Sequence, residues 1–287
     1  MVVQNNLTAM NSNRMLGITV LSQAKSTEKL SSGYRINRAA DDAAGLAISE
    51  KMRRQVRGLT QATANAQDGI SALQTAEGAL NEVHAMLQRM NELAIKAGNE
   101  TLQSLDRSFI QSELVALRTE IDRVAATTTF NEQMLLDGNF SGGKRVQVGA
   151  ETATPNQIMI TIAHMNWTSI TRFASEFDGV QGRLDVMGSD DDAVYQNITE
   201  TVDTIKSALK NVSTIRSDMG AVQNRLEHTV ANLRNVVENT TAAESAIRDT
   251  DMATEMVKFS NNSILAQAGQ AMLAQANQAN AGVLALL

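Results

Sequence analysis

The stretch LTQATANAQDGISALQTAEGALNEVHAMLQRMNELAIKA (59–97) decides the fold of this chain of 287 residues. Apolar or small residues recur in it at every seventh position, and a second such series follows three positions after the first. Sustained heptads of this kind predict a long helix that packs against other helices in coiled-coil fashion. The two series are Leu59, Ala66, Leu73, Leu80, Leu87 and Ala94, and Ala62, Ala76, Val83, Met90 and Ala97.

Two other segments have the same periodicity. From 110 to 124 apolar residues are spaced by four and three positions in turn, and from 198 to 233 they recur at every seventh position. The three segments together predict a mainly α fold, a long antiparallel coiled-coil-like rod made of a helix hairpin and a third long helix. The residues of these seams are Ile110, Leu114, Leu117, Ile121 and Val124, then Ile198, Ile205, Val212, Met219, Leu226 and Leu233.

Composition agrees with long helices and excludes several classes of protein. Proline occurs once, at Pro155, and aromatic residues make up 3% of the chain, so helix breakers and bulky core side chains are both scarce. The absence of cysteine excludes disulfides, thiolate metal sites and cysteine nucleophiles. The net charge of −6 argues against nucleic acid as a partner.

The segment between Gly138 and Gly188 interrupts the helical pattern. It holds seven of the 17 glycines and the single proline. Within it RVQV (145–148) and IMITI (158–162) alternate apolar and polar residues across a turn-rich stretch. This pattern predicts a small antiparallel β-hairpin at about 140–165.

Candidate chemical motifs favour structural roles. GNFSGGKR (138–145) has the glycine and lysine spacing of a phosphate-binding loop, but Arg145 stands where a hydroxyl would be needed and a strand pattern follows, which favours a plain turn. Asp41 and Asp42 are adjacent and diverge on a helix, so capping or ion pairing is the favoured interpretation. The basic run KMRRQVR (51–57) has no interleaved aromatics. We therefore expect neither an enzyme nor a bound cofactor or metal.

The two ends of the chain share an unusual character. The first 13 and the last 29 residues carry no charge and are rich in amides. The N-terminus lacks the early basic residue and apolar core of a signal peptide, and no apolar run is long enough to cross a membrane. Contacts on several sides are expected to order the tail, with assembly residues Met272, Leu273, Leu284, Leu286 and Leu287.

Long motifs at both ends resemble bacterial flagellin. The resemblance covers the chain apart from about 141–190. The N-terminal motifs are NSNRMLGITVLSQAKSTEKLSSGYRINRAADDAAGLAISEKMR, NAQDGISALQTAEGAL, LQRMNELAIKAGN and EIDRVAATTTFNEQMLLDG. The C-terminal motifs are SDMGAVQNRLEHTVANL, AAESAIRDTDMATEMVKFS and ILAQAGQAMLAQANQANAGVLALL.

The resemblance implies a subunit that polymerises into the extracellular flagellar filament for swimming motility. Residues 1–44 and 244–287 would form an inner, tube-lining domain of coaxial helices, and 45–243 an outer helical domain with the hairpin. About 50 residues lie between LLDG (135–138) and the final long helix, so the resemblance implies a short flagellin without the variable outer domains that most flagellins have. Export would proceed unfolded, without a cleaved signal peptide.

The resemblance also implies partners. They are other copies of the chain, the flagellar export apparatus, an export chaperone bound through the C-terminal helix, the filament cap and the hook-associated proteins. A host flagellin-sensing Toll-like receptor would bind Arg89 and Leu93 on the first long helix and Glu120 on the second. Seam positions Leu87 and Met90 point inward, so Arg89 and Leu93 are expected on an exposed flank.

Three alternatives stay open at this point. A hook–filament junction protein shares such ends but has a longer middle. A coiled-coil signalling hairpin of chemoreceptor type would explain the heptads but leaves the glycine-rich strands and uncharged ends unexplained. A helical nucleoid-binding protein rests on the basic N-terminal cluster alone.

Overall fold

A computed structural model describes residues 6–172, 184–188 and 191–284, without the side chains of 172, 191 and 279–284. The described chain is mainly α, with six helices and four short strands. In chain order these are α1 (Leu7–Ser32), α2 (Ala43–Ala97), α3 (Ser104–Thr127), β1 (Thr129–Phe130), β2 (Gln133–Met134), β3 (Lys144–Gln147), β4 (Gln157–Ile160), α4 (Trp167–Arg172), α5 (Asp191–Arg248) and α6 (Met252–Leu284). The predicted fold class is confirmed.

The chain divides into two compact units. The terminal unit combines Met1–Val56 with Val237–Leu287, and the central unit is Arg57–Val236. The predicted domain boundaries, at 44/45 and 243/244, lie near those of the two units, and residues 45–56 and 237–243 belong to the terminal unit. Helices α2 and α5 each contribute residues to both units.

The heptad residues form the core of the central unit. Every member of the two α2 series is buried, and so are all six residues of the α5 series. Ile110, Leu114 and Ile121 of α3 belong to the same hydrophobic cluster, against which Leu117 and Val124 are partly buried. The predicted seams of α2, α3 and α5 are therefore confirmed as the buried faces of these helices.

The predicted hairpin is present with slightly shifted bounds. β3 and β4 pair antiparallel, with Val146 opposite Ile158 and Lys144 opposite Ile160. The face that carries Val146, Ile158 and Ile160 packs on α2 at Gly69, where an added Cβ would lie 3.3 Å from Ile160 Cδ1 and 3.4 Å from Val146 Cγ2. Gly69 thus gives the hairpin room to approach the helix closely.

Two elements escaped sequence analysis. β1 and β2 form a second hairpin whose two turn residues, Asn131 and Glu132, both have positive φ (48° and 63°). Two-residue turns of this kind usually contain glycine, which makes them recognisable from sequence, but neither turn residue here is glycine. The short helix α4 begins at Trp167, which is 1% exposed. One aromatic side chain in a polar segment has no periodicity by which it could be recognised.

The glycine-rich stretch 138–145 is a turn that leads into β3, as the sequence favours. Gly138 and Gly143 have φ of 85° and 76°, a conformation that glycine adopts without a steric penalty. Among the described residues, no helix has the length and hydropathy needed to cross a membrane.

Substitution of two glycines on α2 by alanine is expected to change the free energy of unfolding differently. At Gly78 no atom lies within 4 Å of an added Cβ, so Gly78→Ala should raise the free energy of unfolding by about 0.5–1 kcal/mol through helix propensity. At Gly58 the added Cβ would lie 2.9 Å from Ala150 Cβ and 3.1 Å from Ala150 Cα, so the loop must move and the gain should be lost. Urea unfolding measures both changes. Equal gains would contradict the close approach of the loop at Gly58.

Candidate assembly surface

Helices α1 and α6 lie side by side and run antiparallel in the terminal unit. The Asn6 side chain donates to the Ala276 carbonyl at 3.0 Å, and Asn262 donates to the Ser22 hydroxyl at 3.0 Å. Between these contacts, an added Cβ on Gly269 would lie 3.2 Å from Leu16 Cδ1. The predicted pairing of the terminal helices is thereby confirmed.

Local capping explains where the two helices begin and end. The Asn6 side-chain oxygen accepts from the Ala9 N–H at 3.0 Å, and α1 ends at Gly33, whose φ is 76°. The Asp251 carboxylate accepts from the Ala253 N–H at 3.0 Å and from the Thr254 hydroxyl at 2.6 Å, which starts α6. These hydrogen bonds lower the pKa of Asp251, with the Thr254 hydroxyl as the largest cause.

A buried polar contact joins the two helices near their common end. The Ser26 hydroxyl donates to Glu255 Oε1 at 2.7 Å, and Glu255 is 6% exposed. The Ser26 hydrogen bond is the main cause that lowers the pKa of Glu255, and Lys258 and Lys29 lower it further. A buried carboxylate needs such partners, so this contact fixes the register of α1 against α6.

The segments that follow α1 and precede α6 also pair. Tyr34 and Asp249 form an antiparallel bridge, in which the Arg35 N–H donates to the Arg248 carbonyl at 2.7 Å. The Arg248 guanidinium lies 4.7 Å from the Tyr34 ring centroid and 2.8 Å from Glu50 Oε1. Cation–π and ionic contacts thus hold both connections of the terminal unit together.

The adjacent acids in this region cap the backbone, one of the two roles favoured by the sequence. Asp41 Oδ2 accepts from the backbone N–H groups of Asn37 and Arg38, and these bonds lower its pKa. Asp42 Oδ1 accepts from the Gly45 N–H at 2.9 Å at the start of α2. The described residues contain no group of three or more His, Cys, Asp or Glu side chains arranged to hold a metal ion.

The outer surface of the α1–α6 pair is unusually apolar. Twelve of the 21 large apolar side chains that are exposed in the described chain lie on these two helices. They are Leu7, Met10, Met15, Ile18, Val20 and Leu21 on α1, and Met252, Met256, Val257, Ile264, Leu265 and Met272 on α6. A concentration of this kind marks a surface that another protein surface covers.

The exposed apolar side chains point in several directions. Met256 and Leu265 are nine positions apart on α6, which at about 100° per residue places them on opposite sides of the helix. They are 55% and 57% exposed although α1 already packs along α6. One further contact surface therefore cannot cover both side chains, and at least two are needed.

The predicted assembly residues fall partly on this surface. Met272 is 62% exposed, whereas Leu273 is half-buried. Leu284 is the last residue of α6, and its side chain, like all of Leu286 and Leu287, lies outside the described residues. Among the described side chains, α1 carries as many exposed large apolar residues as α6, so both helices contribute to this surface.

The three predicted receptor residues do not form one exposed face. Arg89 is exposed and pairs with Glu113 at 3.0 Å, which raises the pKa of Arg89. Glu120 contacts Arg123 instead, with a pKa lowered by that hydrogen bond. Leu93 is 3% exposed, so its predicted exposure is wrong.

Packing on two sides of α2 explains why Leu93 is buried. Residues of both α3 and α5 join the hydrophobic cluster that contains Leu93, so the buried stripe of α2 is wider than a two-position seam. Heptad spacing alone assigned Leu93 to the flank. The acid of α3 that contacts Arg89 is Glu113, and the sequence carries no local signal that predicts this contact.

Comparisons with known proteins agree along the whole chain. Residues 3–141 match the bacterial flagellin N-terminal helical region, and residues 202–287 match the bacterial flagellin C-terminal helical region. Flagellins of Halalkalibacterium halodurans and Bacillus subtilis are 50% and 46% identical, each over 100% of both chains. A putative flagellar hook-associated protein from Vibrio parahaemolyticus is similar in fold, with a TM-score of 0.56 at 16% identity over 73% of this chain and 100% of that chain.

The buried Glu255 predicts a pH-dependent stability of the terminal unit. Because the Ser26 hydrogen bond holds the pKa of Glu255 in the folded chain below the ordinary value of a glutamate, the stabilising contribution of this carboxylate is present above that ordinary value and is lost as the pH falls through the lowered pKa. Glu255→Gln should lower stability near neutral pH and remove part of the acid dependence. Urea unfolding between about pH 7 and about pH 3 measures this, with the exposed-site change Glu238→Gln as control. An unchanged pH profile in Glu255→Gln would contradict the assignment.

Proposed function

The chain belongs to the bacterial flagellin family and is a structural subunit of the flagellar filament, and we propose that its terminal unit is the part that polymerises. Residues 1–44 and 244–287, which make up most of that unit, form the inner, tube-lining layer, and residues 45–243 form the outer layer. The observation that carries this proposal is the apolar surface of α1 and α6, exposed on opposite sides of the same helix pair.

The energetics of α6 support burial between subunits. Ordering its 33 residues costs roughly 1–2 kcal/mol of backbone entropy for each residue. Among the α6 side chains that the structure describes (252–278), only Glu255 and Ala266 are buried, so contact with α1 recovers little apolar burial there. Neighbouring subunits on two or more sides supply the remaining burial.

The uncharged ends suit the wall of a channel. The last 29 residues carry no charge and include eight Asn or Gln side chains. Amides form hydrogen bonds with water and with one another, and they do not retain a passing chain by charge attraction. A subunit that travels through the growing filament to its tip would meet such a lining.

The exposed apolar surface of α1 and α6 would also bind the other proposed partners of the chain. An unassembled subunit exposes the apolar α6, and an export chaperone that covers it would keep the subunit from premature assembly. Export through the flagellar apparatus, without a cleaved signal peptide, would deliver it to the extracellular filament. The filament cap and the hook-associated proteins would contact its terminal helices as another subunit does.

A host Toll-like receptor is the proposed partner of the central unit. The face centres on the Arg89–Glu113 pair, with Glu120 seven positions further along α3 and about 10 Å away along the helix axis. Arginine is enriched among the interface residues that contribute most to binding energy. Leu93 lies beneath this face and supports it from the core.

Truncation of the tail tests the assembly proposal. Deleting residues 266–287 should leave a folded central unit, because its core cluster spans residues 66–230, but should abolish filament formation. The point substitution Met272→Asp should raise the protein concentration needed for polymerisation at least tenfold, about 1.4 kcal/mol per subunit. Met272→Leu, which keeps the site apolar, is the matched control. Filaments seen by sedimentation and electron microscopy of the truncated protein would overturn the proposal.

Receptor binding is tested with variants that leave the core intact. Arg89→Ala should weaken binding of the monomer to the receptor ectodomain more than threefold, as expected for a central arginine. Arg225→Ala, a charge change at an exposed site on α5, should have no effect. Leu93→Ala is unsuitable because it would cost about 2–5 kcal/mol of stability. Equal affinities of Arg89→Ala and Arg225→Ala would exclude this face.

A further inference from the structure

All the methionines of the two terminal helices are exposed. Helices α1 and α6 contain five of the 14 methionines of the chain, and the exposed fraction of each of these side chains lies between 48% and 65%. In globular proteins methionine is most often buried. Here the thioethers lie on the outer surface of the helix pair. They are Met10, Met15, Met252, Met256 and Met272.

The central unit contains both buried and exposed methionines. Met90, Met165 and Met219 are at most 3% exposed and belong to the hydrophobic cluster. Met134 and Met159 are exposed, the first on β2 and the second on β4. The chain therefore supplies its own references for the five terminal methionines, with thioethers that are buried and thioethers that are exposed elsewhere.

Exposed thioethers are the sulfur groups of this chain that an oxidant can reach. The chain has no cysteine, so no thiol competes for the oxidant. When a peroxide reacts, the sulfur lone pair attacks one peroxide oxygen, the O–O bond breaks, and the departing hydroxide takes up the proton of the transferred oxygen to form water. The sulfur loses two electrons and the peroxide gains them. The product is methionine sulfoxide, which is polar.

A sulfoxide on these helices would oppose their burial between subunits. Met256 and Met272 are sixteen positions apart on α6, which places them about 160° apart around the helix axis. A neighbouring copy on either side of α6 would therefore cover at least one thioether. Covering a polar sulfoxide that finds no hydrogen-bond partner costs free energy, whereas covering a thioether gains it.

We propose that the five methionines of α1 and α6 form a reversible oxidation site through which peroxides prevent assembly of the free subunit. The oxidised chain keeps its central unit, whose core thioethers are buried, but it does not add to a filament. Methionine sulfoxide reductases reverse the change with a dithiol, which becomes a disulfide while the sulfoxide oxygen leaves as water. Inside a filament the same side chains are covered, so oxidation acts before assembly. The inference rests on the proposed polymerisation of the terminal unit.

A partition experiment with the wild-type chain tests the site directly. Monomers are partially oxidised with hydrogen peroxide, the peroxide is removed, and filaments are grown and separated from the remaining monomers by sedimentation. Peptide mass spectrometry measures the sulfoxide fraction at each methionine in both samples. Sulfoxide at the five terminal sites should be depleted in the filaments by about threefold or more, because it opposes burial. Sulfoxide at Met134 and Met159 should be distributed evenly.

The outcomes of this experiment separate the possible failures. Equal sulfoxide fractions in filaments and monomers at the five terminal sites would overturn the oxidation site. Depletion at Met134 and Met159 as strong as at the terminal sites would overturn it too, because oxidation anywhere on the surface would then prevent assembly. Wild-type monomers that form no filaments before oxidation would instead overturn the assembly proposal.

Leucine variants give an independent test, because leucine keeps each site apolar but has no sulfur to oxidise. Peroxide should raise the protein concentration that the wild-type chain needs for polymerisation by about tenfold or more. In the full-length variant with leucine at all five terminal sites, the change relative to its own untreated form should be less than about twofold. The matched control, Met134→Leu with Met159→Leu, should stay as sensitive as the wild-type chain. Equal sensitivity of the fivefold variant and the wild-type chain would exclude the terminal site.

Reversal of the oxidation completes the test. Methionine sulfoxide reductases for both sulfoxide epimers, supplied with dithiothreitol, should return the oxidised wild-type chain to its original polymerisation threshold. Dithiothreitol alone should have no effect, since the chain has no disulfide. Circular dichroism of the oxidised monomer checks that its helices are intact. If polymerisation stays impaired after mass spectrometry shows full reduction, another lesion is responsible and the proposal fails.

Discussion

Burial of the apolar stripe of α2 is the interaction on which the rest of the structure depends. The stripe runs from Leu59 to Ala97, and α3, α5 and the β3–β4 hairpin all pack through the cluster to which it belongs. Large apolar side chains make this cluster self-sufficient, because each contributes about 1.5–3 kcal/mol when fully buried. The central unit is therefore expected to fold without a partner.

The terminal unit is built on the opposite principle. Polar contacts such as Ser26 with Glu255 and Asn6 with the Ala276 carbonyl set the register of α1 and α6. Their apolar side chains face outward, where a second molecule can bury them. Burial of these side chains by a neighbouring copy would couple the order of the two helices to polymerisation.

Charge is distributed to suit a polymer of one repeating chain. The net charge of −6 favours repulsion between free subunits, while the first 13 and the last 29 residues carry no charge at all. Exposed ion pairs such as Arg123 with Glu120 contribute little to stability, so their value lies in the choice of partner surface. An open filament requires two unlike surfaces on each subunit.

The sequence by itself determined the helices, their seams and the β3–β4 hairpin, because periodicity and glycine clusters are local signals that burial then enforces. It also determined the family, through long motifs at both ends. Only the tertiary structure decided which single side chains are buried and which partners they contact. Leu93 is buried because α3 and α5 widen the stripe of α2, and Glu113 instead of Glu120 meets Arg89 because the α2–α3 connection sets the register of the two helices. Contacts between helices far apart in sequence leave no periodic trace, so no reading of the chain alone could place them.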